Sequence, residues 1–133
     1  MDKELKTIEL IAGVKGKGLW KSPFQEGAKI LQNLLNELNE VWETDIHLTC
    51  QEDDAYLMSH GGGVARNGRE IILAKISLMT FLHEYYHCLV MQKGLPNTEE
   101  AAQRWSHMIF KRSLPNIYDK SARAGRFFHV VAE

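Results

Sequence analysis

Apolar residues recur at three- and four-residue intervals over Leu31, Leu34, Leu35, Leu38, Val41 and Trp42, which predicts one helical stripe facing a core and ending near Glu43. Ser22-Pro23-Phe24-Gln25 reads as its start, with Ser22 as cap, Pro23 at the first helical position and Gln25 completing a capping box. From Asp45 the period falls to two. Ile46, Leu48 and Cys50 alternate with His47, Thr49 and Gln51, as in a half-buried strand. A second short strand is expected at Ala55-Tyr56-Leu57-Met58 after the polar turn Glu52-Asp53-Asp54. His60-Gly61-Gly62-Gly63 opens a loop, Asn67-Gly68 has the residues of a tight hairpin turn, and Arg69 to Ala74 reads as a third strand.

Ser77 is placed to cap the next and most apolar helix, which runs to about Lys93 before Gly94 and Pro96 stop it. Asn97-Thr98-Glu99-Glu100 starts another, with Asn97 as cap and Trp105, Met108 and Ile109 on its apolar face, ending near Leu114-Pro115. Phe81, Leu82, Leu89, Trp105 and Met108 are assigned to the core, and Tyr85 to packing with its hydroxyl at the surface. At the N-terminus, Thr7 to Val14 reads as a short strand and Gly13-Val14-Lys15-Gly16-Lys17-Gly18 as a flexible basic stretch without phosphate-loop spacing. The tail after Asn116 is basic through Lys120 to Arg126 and closes on Phe127-Phe128-His129-Val130-Val131. These elements predict an α+β fold in which a small, mainly antiparallel sheet packs on helices. One domain spans residues 1–133, with 1–21 flexible.

Composition narrows the function class. Sixteen basic and 17 acidic side chains leave a formal charge of −1 with no long run of one sign, so neither nucleic acid nor an anionic membrane is expected as partner. Met1-Asp2-Lys3-Glu4 carries acids where a secretory signal wants bases, and no run approaches the roughly 18 apolar residues of a membrane span. Cys50 and Cys88 are far apart and form no CxxC pair, which fits reduced thiols better than a disulfide scaffold. A cytoplasmic location is the resulting expectation.

The chemistry concentrates in Phe81 to Val90, which contains His83-Glu84-Tyr85-Tyr86-His87 inside the apolar helix. Residues four apart share a helix face, with Cβ atoms about 5–6 Å apart, so His83 and His87 can offer two imidazole nitrogens to one ion. Glu84 stands beside them, able to act as general base on a water held there without being a ligand itself. His47, His107 and His129 read as ordinary residues.

Two histidines want a third protein ligand. Val90 and Lys93 occupy the positions where a metzincin would carry glycine and histidine, which excludes that class. A carboxylate from the following helix is the other solution. Glu99 is favoured and Glu100 is the alternative, because Glu100 can instead reach back to the cap. From Glu99 the same face continues through Ala102, Gln103 and Ser106, small enough to let the two helices approach, and Gln103 is placed to steady a ligand.

His83-Glu84-Tyr85-Tyr86-His87, then Glu99-Glu100-Ala101-Ala102-Gln103-Arg104-Trp105-Ser106, then Leu114-Pro115, resembles the HExxH…ExxAxxFA…LP pattern of the ImmA/IrrE-type metallopeptidases, with Trp105-Ser106 at the Phe-Ala positions. The likeness covers residues 69–115 and extends more broadly to gluzincin-like zincins. It implies a zincin-like fold, Zn²⁺ held by His83, His87 and Glu99, and Glu84 as catalytic base in peptide hydrolysis.

On that expectation the partner is a peptide or protein substrate, bound along the strand Arg69 to Ala74 as the cleft edge, with a regulatory protein as a further partner. Tyr86, His107, Tyr118 and His60 are the candidates for oxyanion donor. The alternative function is a regulatory or interaction module that keeps the metal site without turnover. Glu84 counts against it, since a purely structural site has no use for that carboxylate.

Overall fold

The computed structural model describes residues 2–126, and among them lie six helices and one three-stranded open sheet. The first helix, α1 (Lys3–Ala12), stands where a strand is expected at Thr7 to Val14. The β-branched residues there suggest strand, but the buried positions Thr7, Ile11 and Val14 are spaced as a helix face, and Asp2 caps the first turn through the Leu5 amide. Thr7 ties α1 to α2 (Phe24–Trp42): its hydroxyl donates to the Lys3 carbonyl at 2.7 Å and accepts from Trp42 Nε1 at 2.9 Å.

Helix α2 buries Leu31, Leu34, Leu35 and Leu38, the stripe its periodicity predicts. Its cap differs from expectation. Pro23 holds the N-cap position, and the Ser22 hydroxyl turns away to donate to the Gly18 carbonyl. At the other end Glu43 takes a left-handed conformation, and Asn39 brackets the entry to the sheet by donating to the Ile46 carbonyl at 2.9 Å.

The sheet comprises β1 (His47–Cys50), β2 (Gly63–Arg66) and β3 (Glu70–Leu73) in the order β1-β3-β2. β2 and β3 form the antiparallel hairpin that Asn67-Gly68 predicts. Both turn residues have positive φ, and the Arg69 amide donates to the Arg66 carbonyl. β1 pairs with β3 in parallel, so the sheet is mixed rather than mainly antiparallel. β3 is therefore the central strand and not a cleft edge; β1 and β2 are the sheet edges, and β2 is the one that lines the cleft. Ala55–Met58, expected as a strand, is a single helical turn, α3, because the Asp54 side chain accepts from the Leu57 amide and starts a helix before any ladder can form.

Helix α4 (Leu78–Gln92) lies on β2 and β3 and also packs against α5 (Glu99–Ser113). Ser77 caps α4 as expected, and Gly94 at φ 67° turns the chain after it. Phe81, Leu82, Tyr85 and Leu89 are buried; Trp105 and Met108 only partly so. Tyr85 departs from expectation, with its hydroxyl in the core donating to the Leu38 carbonyl at 3.4 Å and its pKa raised by burial. Helix α6 (Pro115–Arg123) follows where a basic tail is expected. The expectations for the apolar end Phe127 to Val131, His129 included, lie outside the described residues. Among the described residues no helix is long and apolar enough to cross a membrane, and both cysteines are free thiols.

Candidate metal centre

The close approach of α4 and α5 builds the site. Ala102 and Ser106, both fully buried, are small enough to let α5 lie against the HExxH face of α4. This brings the first residue of α5, Glu99, onto the two histidines. His83 Nε2 and His87 Nε2 are 3.3 Å apart, and the Glu99 carboxylate spans both, 3.1 Å from His83 and 2.7 Å from His87. Tetrahedral zinc with bonds of about 2.05 Å separates its ligand atoms by about 3.3 Å. The N···N spacing matches that edge, and the whole ligand set falls within 4.8 Å.

The expected set His83, His87 and Glu99 is thus brought together, and Glu100 is not part of it. Glu100 instead pairs with Arg104 one turn along α5. Nor is Asn97 the cap. Thr98 caps α5 by accepting from the Ala101 amide at 3.1 Å, which frees Asn97 to accept from His87 Nδ1 at 2.6 Å. That hydrogen bond fixes the ring's orientation and directs the Nε2 lone pair toward the shared point. His83 lacks the equivalent. Its Nδ1 is buried without a hydrogen-bond partner among the described residues. Gln103, expected to steady a ligand, lines the adjoining cleft and makes no side-chain hydrogen bond to Glu99 or either histidine.

Electrostatics separate the acids. Burial lowers the His83 pKa, against the opposing pull of the Glu99 charge and hydrogen bond. Burial works to raise Glu99, but His83 and His87 outweigh it and hold the carboxyl below its ordinary value. Glu84 goes the other way. Burial pushes it up to about 7, with Glu99 adding to the rise, while His87 and the Ala65 backbone N–H of β2 pull it down. Two carboxyls within one site are thus driven apart in proton affinity, one suited to binding a cation and one to exchanging protons near neutral pH.

The site is open. A cleft of about 430 Å³ is lined by His83, Glu84, Glu99 and Gln103 on the helical side and by Ser59, His60, Gly61, Gly63 and Val64 on the other. Glu99 remains 68% exposed at its mouth, so solvent reaches the point where the ligands converge. Of the four expected oxyanion candidates, His60 lines this cleft. Tyr86 lies in a separate groove with Trp105 and Met108, and His107 and Tyr118 are hydrogen-bonded to each other at 2.6 Å. The local sequence does not mark the role of Asn97, because Asn-Thr-Glu-Glu offers two competent caps and nothing local chooses between them.

Comparison of the chain with protein-family models, curated proteins and solved structures gives no match. What the geometry establishes is a His83, His87 and Glu99 cluster with the donor set and spacing of a metal centre, open on one side.

Proposed function

We propose that this chain is a zinc-dependent metallopeptidase of zincin type, akin to the ImmA/IrrE-type enzymes. The observation that carries the reading is the convergence of His83, His87 and Glu99 at the mouth of an open cleft, with Glu84 lining the same cleft outside the ligand set. Two imidazoles and one carboxylate, with a position left open, form a donor set typical of catalytic zinc. Bound zinc would supply a Lewis acid for the scissile carbonyl and lower the pKa of water there toward about 7.

The chain's own groups perform the rest. Glu84, half-buried and held near neutral in proton affinity, takes the proton from the attacking water and later passes it to the leaving amine. The substrate is an extended peptide, because β2 is an edge strand whose Gly63 and Val64 line the cleft, leaving backbone groups for strand addition. Asn97 positions His87.

The test pairs metal analysis with cleavage of a set of internally quenched peptides. Glu84→Gln is expected to retain zinc and lose about 10²–10⁴-fold in turnover. His83→Ala and His87→Ala are expected to lose both metal and activity. Undiminished turnover in Glu84→Gln would refute the mechanism. Firm zinc binding with no cleavage by the unaltered protein would favour a regulatory module instead.

A further inference from the structure

The chain leaves α6 in a fixed direction. Gly125, at φ 72°, ends the helix with its amide donating to the Ala122 carbonyl at 3.1 Å, and the Arg126 amide donates to the Ser121 carbonyl at 3.0 Å. These are the two bonds of a Schellman stop, which turns the chain off the helix axis. Ser121 and Arg126, so tied together, both line a second groove, separate from the metal cleft and of about 240 Å³. Its apolar wall comes from three other elements: Leu78 and Met79 in the first turn of α4, Phe110 of α5, and Trp20, which stands on a short turn before α2 with its ring 6.3 Å from that of Phe110. Leu78, Met79 and Phe110 are buried, whereas Trp20 is 40% exposed. The groove exceeds the roughly 150 Å³ that suffices to hold benzene, so it can take one phenyl ring. The residues next in the sequence are Phe127-Phe128-His129-Val130-Val131. They begin one peptide bond beyond a lining residue and can reach at most about 17 Å from it.

We propose that this groove is the docking site, within the same molecule, for residues 127–131, one of the two phenyl rings seating against Trp20. The occupant is the chain's own apolar segment because the Schellman stop delivers it at the rim, and so short a tether holds it there at an effective concentration on the order of millimolar. A second copy or a foreign peptide has no such advantage. Docked, the segment joins the turn that carries Trp20 to the first turn of α4, and Thr80, the next residue of that helix, lines the metal cleft. It thus clasps the start of the helix that bears His83 and His87. The inference stands apart from the peptidase reading, since it uses none of the residues assigned to chemistry.

The test uses the full chain with the photoreactive p-benzoylphenylalanine at position 127 or, separately, 128. Irradiation followed by proteolysis and mass spectrometry is expected to find, for at least one position, a crosslink to Trp20 or Met79 within one molecule, in a yield that does not change on dilution. Crosslinks between two copies, crosslinks only to other parts of the chain, or none at all from either position overturn the proposal. A second measurement follows the Trp20 indole N–H by NMR, assigned through Trp20→Phe. The double variant Phe127→Ser, Phe128→Ser should shift that signal and leave those of Trp42 and Trp105 in place, which shows that the fold is kept. A synthetic peptide of residues 127–133 should bind the double variant about tenfold more tightly than the unaltered chain, whose groove is already filled from within, and should return the Trp20 signal toward its original position. A Trp20 signal indifferent to the double substitution, or equal peptide affinity for the two proteins, refutes docking within the molecule.

Discussion

Asn97 and Thr98 are neighbours with separable tasks, and substituting each to alanine distinguishes orienting a ligand from capping a helix. Asn97→Ala removes the 2.6 Å contact to His87 Nδ1 but no helix cap. Loss of such an outer partner typically weakens metal binding by about 10–100-fold, or about 1.4–2.7 kcal/mol. The structure places this case at the low end. Asn97 is exposed, so water can replace its carbonyl oxygen, and about tenfold weaker zinc binding is expected with unfolding free energy changed by less than about 0.5 kcal/mol. Thr98→Ala removes the acceptor for the Ala101 amide and should cost about 1 kcal/mol of stability, a few degrees in Tm, while zinc affinity in the folded protein moves less than threefold. Asn97→Asp keeps an acceptor and adds charge, so it should bind zinc at least as tightly as the unaltered protein. Competition against a chelating dye gives the affinities, and urea unfolding in excess chelator gives the stabilities. If Asn97→Ala leaves zinc affinity within twofold, or if Thr98→Ala weakens it as much as Asn97→Ala does, the division of labour is wrong.

Glu99→Ala should leave the purified protein without zinc after dialysis, whereas Glu100→Ala should keep it, because Glu100 pairs with Arg104 and, among the described residues, is outside the ligand cluster; equal metal loss in both would move the third ligand elsewhere. In metal-free protein, burial lifts Glu84 from an ordinary value of 4.5 to about 7, so the folded state binds this proton more tightly than the unfolded chain. That contribution, on the order of 3 kcal/mol, is complete below about pH 4.5 and disappears as pH rises through 7. Unfolding in chelator across that window should show a fall in stability with rising pH that Glu84→Gln lacks, and parallel pH profiles for the two proteins would contradict it. Thiol titration of the native protein at pH 8 should find Cys88 silent, since it is fully buried with its thiol pushed up to about 12 by burial; its reaction at the rate of free cysteine would show that the core opens.

The amino-acid sequence by itself determined what depends on neighbours along the chain. The Leu31 to Leu38 stripe, the Asn67-Gly68 turn, the Ser77 cap and the pairing of His83 with His87 one helical turn apart are each written within a few consecutive residues, and each is present. In short segments local pattern does not decide the structure. Thr7 to Val14 and Ala55 to Met58 are too brief for periodicity to separate strand from helix, and Asp2 and Asp54 decide them by capping. Tertiary structure alone decided the rest. The parallel union of β1 with β3 joins residues more than twenty apart and makes β3 central, leaving β2 on the cleft. The packing of α5 on α4 selects Glu99 over Glu100 and gives His87, but not His83, a partner for its second nitrogen. The proton affinity of Glu84 has the same origin, because desolvation is set by how many elements close around a carboxyl and not by the residues beside it in the chain.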